Sequence, residues 1–165
     1  MMTLAEVNAM TADAFVAAFG DVAEHSPWVA AEAAGKRPFG SRGKMISEFS
    51  AALAAARPEA QLALLRAHPD LATRARLSAD SGREQQGAGL DTLDAGEFRR
   101  FTALNEEYKR RFGFPFIFAV KGAGKAEILA AFKERVGKTE SEEFATALAQ
   151  VGRIFRFRIE DRVLP

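Results

Sequence analysis

Between His68 and Leu90 the chain reads HPDLATRARLSADSGREQQGAGL, and this stretch gathers side chains suited to moving protons on a small polar molecule. His68, one of two histidines, stands at a corner stiffened by Pro69, while Ser81, Glu84, Gln85 and Gln86 open a predicted helix ahead of Gly87 and Gly89. An imidazole titrates near neutrality, a nearby carboxylate orients or polarises, and amides both donate and accept hydrogen bonds. Each residue also has an ordinary structural use. A histidine can close a helix C-terminus, where a cation favours the dipole. Ser81-x-x-Glu84 has the spacing of a capping box, and Gln85 and Gln86 suit a solvent face. Arg158 borders an apolar stripe. It reads either as a guanidinium clamp for a substrate carboxylate or as an aliphatic stem lying along apolar surface. Residue types alone leave these alternatives open.

Other chemistries lack their residues. With no cysteine in the sequence, disulfides, thiolate nucleophiles and cysteine-based metal sites are excluded. The two histidines have no HExxH spacing, so no metal site is expected, and His25, just before Ser26-Pro27, reads as a surface or loop residue. Gly122-Ala123-Gly124-Lys125 lacks the upstream glycine and following Ser/Thr of a phosphate loop. The glycines from Gly113 to Gly122 do not fit a dinucleotide fingerprint, and no Gly-x-Ser-x-Gly elbow occurs. Twenty-three basic residues balance 22 acidic ones, which argues against nucleic acid as a partner. Lys109, Arg110 and Arg111 follow Glu106 and Glu107 and read as a solvated helix face. No apolar run approaches the roughly 20 residues that span a bilayer, and MMTLAEVNAM lacks the pattern of a signal peptide. The expectation is a soluble, cytoplasmic protein without membrane contact.

The elements that must position these side chains are helical. At 165 residues and 48% hydrophobic, the chain suits one compact domain. Thr3 with Glu6, Asp94 with Glu97, and Thr139 with Glu142 have capping-box spacing. Thr11 caps a short helix carrying Phe15 and Phe19 and closed by Gly20. Ser26-Pro27 opens a helix running to Gly35, and another from Lys44 to Ala55 carries Met45, Phe49 and Leu53. GKRPFGSRG, from Gly35 to Gly43, reads as the most mobile loop. Pro58 suits the first turn of a helix leading through Leu62, Leu65 and Arg66 into the His68 corner. Phe98, Phe101, Leu104, Tyr108 and Phe112 mark the buried face of a long helix stopped by Gly113. The run from Phe114 to Val120 is strand-like by composition, and equally consistent with a buried irregular or short helical segment. Helices follow from Ala126 to Val136 and from Ser141 to Val163, the last with Phe144, Leu148, Val151, Phe155 and Ile159 on one stripe. The prediction is an all-α fold: a single compact domain, residues 1–165, of seven to nine helices.

Taken in order, five segments carry a resemblance that none carries alone. They are His68-Pro69-Asp70-Leu71-Ala72, Ser81-x-x-Glu84-Gln85, Ala88-Gly89-Leu90-Asp91, Leu104-Asn105-x-x-Tyr108 and Phe112-Gly113-Phe114-Pro115-Phe116-Ile117. The series resembles the 2-oxo-4-hydroxy-4-carboxy-5-ureidoimidazoline (OHCU) decarboxylases, from Phe15 through Arg158-x-x-Asp161. That resemblance implies an all-α, usually dimeric protein that uses no metal or organic cofactor. Its small-molecule substrate is a cyclic ureide carboxylate, which becomes (S)-allantoin and carbon dioxide in urate degradation and also decays unaided to racemic allantoin. The family's catalytic histidine matches His68, its glutamate Glu84, and its carboxylate-binding arginine Arg158, with Arg153, Arg156 and Arg162 close by. Substrate contacts match Pro69, Ser81, Gly82, Arg83 and Gln85, and the backbone of Ile117, Phe118, Ala119, Val120 and Lys121. One departure is a shorter connection between His68 and Ser81, with Thr73-Arg74 where the family often has Gly-Lys or Gly-Arg. Two rival readings keep the same residues: a non-catalytic all-α interaction module, and a cofactor-free lyase or hydrolase acting on another cyclic ureide.

Overall fold

Nine helices are present among the described residues, which are 1–73 and 77–165 of a computed structural model. They are α1 (Leu4–Ala9), α2 (Ala12–Phe19), α3 (Trp28–Ala34), α4 (Arg42–Ala55), α5 (Pro58–Arg66), α6 (Ala79–Gly87), α7 (Ala95–Phe112), α8 (Lys125–Arg135) and α9 (Glu140–Glu160). No strand forms among the described residues; Met2 and Val163 make one isolated parallel bridge. The all-α expectation is met. Arg74, on which the reading of a shortened connection falls, lies outside the described residues.

The chain divides into two compact units, Met1–Ala67 with Val151–Pro165, and His68–Gln150. In the first unit, α3 packs on α2 and α4. Its core is a set of phenylalanine rings: Phe15 lies 5.0 Å from Phe19, 6.0 Å from Phe39 and 6.1 Å from Phe49 between centroids, and Phe49 lies 6.2 Å from Phe155. The Gly35–Gly43 stretch is pinned rather than loose. Asn8 holds the Phe39 backbone from both sides, Arg37 donates to the carbonyls of Val7 and Met10, and Phe39 is buried. Ser41 caps α4, whose first residue, Arg42, lies two residues before the predicted start at Lys44.

In the second unit, α7 packs on α8. Asp94 and Glu97 form the predicted capping box, and Gly113 ends α7 at a φ of 78°, a left-handed conformation that glycine adopts without a Cβ clash. The buried stripe of α7 is Phe101, Asn105, Tyr108 and Phe112, so a polar residue stands in the row where Leu104 was expected. Tyr108 is the hub of the aromatic core, with centroids 4.4 Å from Phe112, 5.4 Å from Phe116 and 6.1 Å from Phe132. On α9 the expected Phe144 and Leu148 are half-buried, and Glu143 and Ala147 take the buried positions.

Candidate active site

The His68 corner forms because α5 cannot continue. Arg66 is its last residue, Ala67 closes its final turn, and Pro69 cannot supply the next helical N–H. His68 is buried at 9% exposure, and the backbone then turns through Asp70, Leu71 and Ala72. Ala72 sits at a φ of 59°, in the left-handed region that residues with a Cβ rarely occupy. Three neighbouring backbone groups of this turn are held by side-chain amides. Gln85 Nε2 donates to the Asp70 carbonyl at 3.3 Å, Gln85 Oε1 accepts from the Ala72 N–H at 2.9 Å, and Asn105 Nδ2 donates to the Leu71 carbonyl at 2.8 Å. Lys109 Nζ adds an ion pair to Asp70 Oδ2 at 2.7 Å.

The helix carrying Ser81 and Glu84 begins one turn earlier than expected. Ser78 is the N-cap of α6, its Oγ accepting from the Ser81 N–H at 3.2 Å. Ser81-x-x-Glu84 is therefore not a capping box, and this corrects the reading of Ser81 as a cap. The reason is burial: with Ser78 at the end, Ser81, Gln85 and Ala88 fall at i, i+4 and i+7 and share the buried face. Glu84 and Gly82 are half-buried beside them, and Arg83 is exposed and paired with Asp80.

The Phe114–Val120 run is neither strand nor helix but a mostly buried irregular segment. Buried backbone groups need partners, and side chains of α8 and α9 supply them. Arg135 Nη1 donates to the Ile117 carbonyl at 2.7 Å, and Gln150 Oε1 accepts the Ala119 N–H at 2.9 Å. The N–H of Ala119 is thus committed within the protein, although this residue was expected to contact substrate through its backbone. Arg135 is itself fixed by Glu143 Oε1 at 2.8 Å from its Nε, and its guanidinium lies 4.3 Å from the Phe116 ring centroid. Phe118 is half-buried, Val120 buried, and Lys121 exposed at the turn before Gly122.

Tyr108 donates to the same Glu143 Oε1 at 2.6 Å. Burial, then the hydrogen bond and charge of Glu143, push its phenol far above the ordinary tyrosine value of 10.0. The fold therefore favours neutral Tyr108. Its stabilisation is complete below pH 10 and falls above it, because the unfolded chain releases a proton that the folded chain retains. As Tyr108 is the chain's one tyrosine, the tyrosinate absorption band reports it alone. We expect that band to appear with loss of the helical signal in an alkaline titration; its appearance in folded protein near pH 10 would contradict this placement.

Arg158 belongs to the first unit, near the end of α9. It does not snorkel. Nη1 donates to Glu24 Oε2 at 3.0 Å and to the Val22 carbonyl at 3.2 Å, and both side chains are 2% exposed. Among the four neighbouring arginines it alone is buried: Arg153 is exposed, Arg156 pairs with Glu160, and half-buried Arg162 pairs with Asp21. His25 is exposed.

Four residues that organise these groups were not singled out from sequence as site residues: Asn105, Arg135, Glu143 and Glu24. Their common signal is a polar residue on an apolar helical stripe or in an apolar stretch, as in Asp21-Val22-Ala23-Glu24. Among the described residues, no cluster of three or more His, Asp or Glu side chains is arranged to hold a metal ion. A groove of about 560 Å³ in the first unit, bordered by Trp28, Glu48 and Arg57, includes none of the candidate residues.

Residues 8–160 match the family model described as OHCU decarboxylase. A 2-oxo-4-hydroxy-4-carboxy-5-ureidoimidazoline decarboxylase of Haloferax volcanii is 46% identical over 161 residues, covering 98% of this chain and 96% of its own. A uric acid degradation bifunctional protein of Bacillus subtilis is 42% identical over 98% of this chain, which spans 33% of that longer protein. Among solved structures, a crystal structure of (S)-allantoin synthase superposes with a TM-score of 0.81 at 28% identity, covering 98% of this chain and 54% of that one.

Proposed function

The chain belongs to the OHCU decarboxylase family, and we propose that His68, Glu84 and Arg158 are the groups with which it converts OHCU to (S)-allantoin and carbon dioxide in urate degradation. The observation that carries the reaction is the 46% identity to a decarboxylase over 98% of the chain. The residue roles rest on the motif match, position by position, and on the burial of His68 and Arg158.

The substrate carries a hydroxyl and a carboxylate on one ring carbon, beside an imine-like bond. When the bond to the carboxylate breaks, the electron pair moves into that unsaturation and carbon dioxide leaves. The ring therefore serves as its own electron sink, and no cofactor is called for. What the protein must supply is orientation and protons. Arg158 anchors negative charge on the substrate, its planar fork matching a carboxylate. His68 lies beside the hydroxyl and exchanges its proton. Glu84 positions the ring and polarises its polar edge. Ser81, Gln85 and backbone groups of Ile117–Lys121 other than the Ala119 N–H bind the ureido and ring amides, with Pro69, Gly82 and Arg83 as further substrate contacts. Gln85, whose amide holds the His68 corner, joins substrate binding to the shape of that corner. Delivery of the proton to one face sets the hand of the product. The same family membership leads us to read the protein as a cytoplasmic homodimer.

Because the substrate decays to racemic allantoin unaided, speed and chirality report the enzyme. Circular dichroism during urate oxidation, with the upstream hydrolase supplied, is expected to show optically active allantoin forming faster than the spontaneous reaction. Racemic product at the uncatalysed rate would reject the assignment.

A further inference from the structure

We propose that Asn105 is a positioning residue for this reaction, holding from α7 the turn that sets the place of His68. The inference rests on the role given to His68 above. Its starting point is Ala72, whose φ of 59° is unfavourable for a residue with a Cβ and persists only where surrounding groups impose it. The imposing groups are two buried amides. Gln85 grips the Asp70 carbonyl and the Ala72 N–H, and Asn105 grips the Leu71 carbonyl between them. The turn is thus held at three successive residues, immediately after the His68-Pro69 pair.

Packing gives no reason for an amide at position 105. It lies between Phe101 and Tyr108 on the buried stripe of α7, where an aliphatic side chain would suit the core. Asn105 is 5% exposed, and its Oδ1 has no hydrogen-bond partner among the described residues, so the stripe carries the cost of burying a polar group. What the amide supplies, and an aliphatic residue cannot, is the N–H to Leu71, three residues from His68. If that bond is lost, Ala72 can relax toward ordinary φ and carry the corner with it. Misplacing a reacting group by about 1 Å costs on the order of a hundredfold in rate.

The test compares Asn105→Leu and Asn105→Asp with the parent protein. Leucine keeps the number of side-chain heavy atoms and suits the stripe, whereas aspartate keeps the shape but its carboxylate cannot donate; two variants guard against misfolding of either. Two readouts are needed. The chain has two histidines, and His25 is exposed, so proton NMR resolves the ring signals of His68 against an internal control. The His68 ring signals are expected to shift and broaden in both variants while those of His25 stay in place. In the circular dichroism assay, kcat per folded molecule is expected to fall between tenfold and about a hundredfold with KM little changed. Adding Ala72→Gly to Asn105→Leu is expected to restore part of the kcat, because glycine adopts positive φ without restraint. Unmoved His68 signals, or an unchanged kcat in an active parent background, overturn the proposal. Should the parent protein itself fail to decarboxylate, the functional reading falls, while the NMR comparison still decides whether Asn105 places His68.

Discussion

Asparagine in place of His68 is expected to lower kcat at least about a hundredfold, since general acid–base help is worth 10²–10⁴ in rate. The substitution removes the imidazole and keeps a polar side chain of moderate size at a buried position. Folding should survive it, because the turn after His68 is held through the backbone of Asp70, Leu71 and Ala72 by Gln85 and Asn105. Steady-state kinetics beside a denaturant midpoint separate the two effects. The matching control is His25→Asn. His25 is exposed at a φ of 48°, a conformation asparagine tolerates well, so this variant should match the parent in both measurements. Full activity in His68→Asn protein would remove the imidazole from the mechanism.

Alanine in place of Glu143 should cost about 3–5 kcal/mol of stability. Glu143 is 1% exposed and accepts from both Tyr108 and Arg135. Removing it leaves a buried guanidinium without its counter-charge and a buried phenol without its acceptor, and both desolvation penalties remain unmatched. Against a typical total of about 5–15 kcal/mol, this is a large share. The loss also reaches the candidate site, since Arg135 holds the Ile117 carbonyl. A useful comparison is Glu134→Ala, which breaks a solvent-facing pair with Lys138 at 3.9 Å; exposed pairs of this kind contribute at most about 1 kcal/mol. Urea unfolding followed by circular dichroism measures both. Equal midpoints for the two variants would mean that the buried cluster does not hold this unit together.

How far these features were legible depends on the range of the interaction behind each. The ends of α7 could be read because Asp94, Glu97 and Gly113 act within one turn of the residues they cap. The start of α6 misled, because Ser78 and Ser81 are both competent caps and the choice between them turns on which face of the helix is buried. Hydrophobicity places the α9 stripe through Phe144 and Leu148, yet Glu143 occupies the buried row because Arg135 and Tyr108 meet it there. The Phe114–Val120 run was ambiguous for a related reason. Its backbone partners are the side chains of Arg135 and Gln150, and no local pattern within the run announces them.

Residue types and their spacing settle the helical class, most helix ends, the absence of thiol chemistry and the ordered motifs that lead to the decarboxylase family. These follow from periodicity, capping and residue type, which act over a few neighbours. Which polar side chains are buried, and what they hold, is set by contacts between distant parts of the chain. Gln85 reaches a turn 13 residues away, Asn105 one 34 residues away, and Arg158 a carboxylate 134 residues away. A buried polar group is stable only when its partner arrives from elsewhere in the chain, so the arrangement of these groups is a property of the folded molecule.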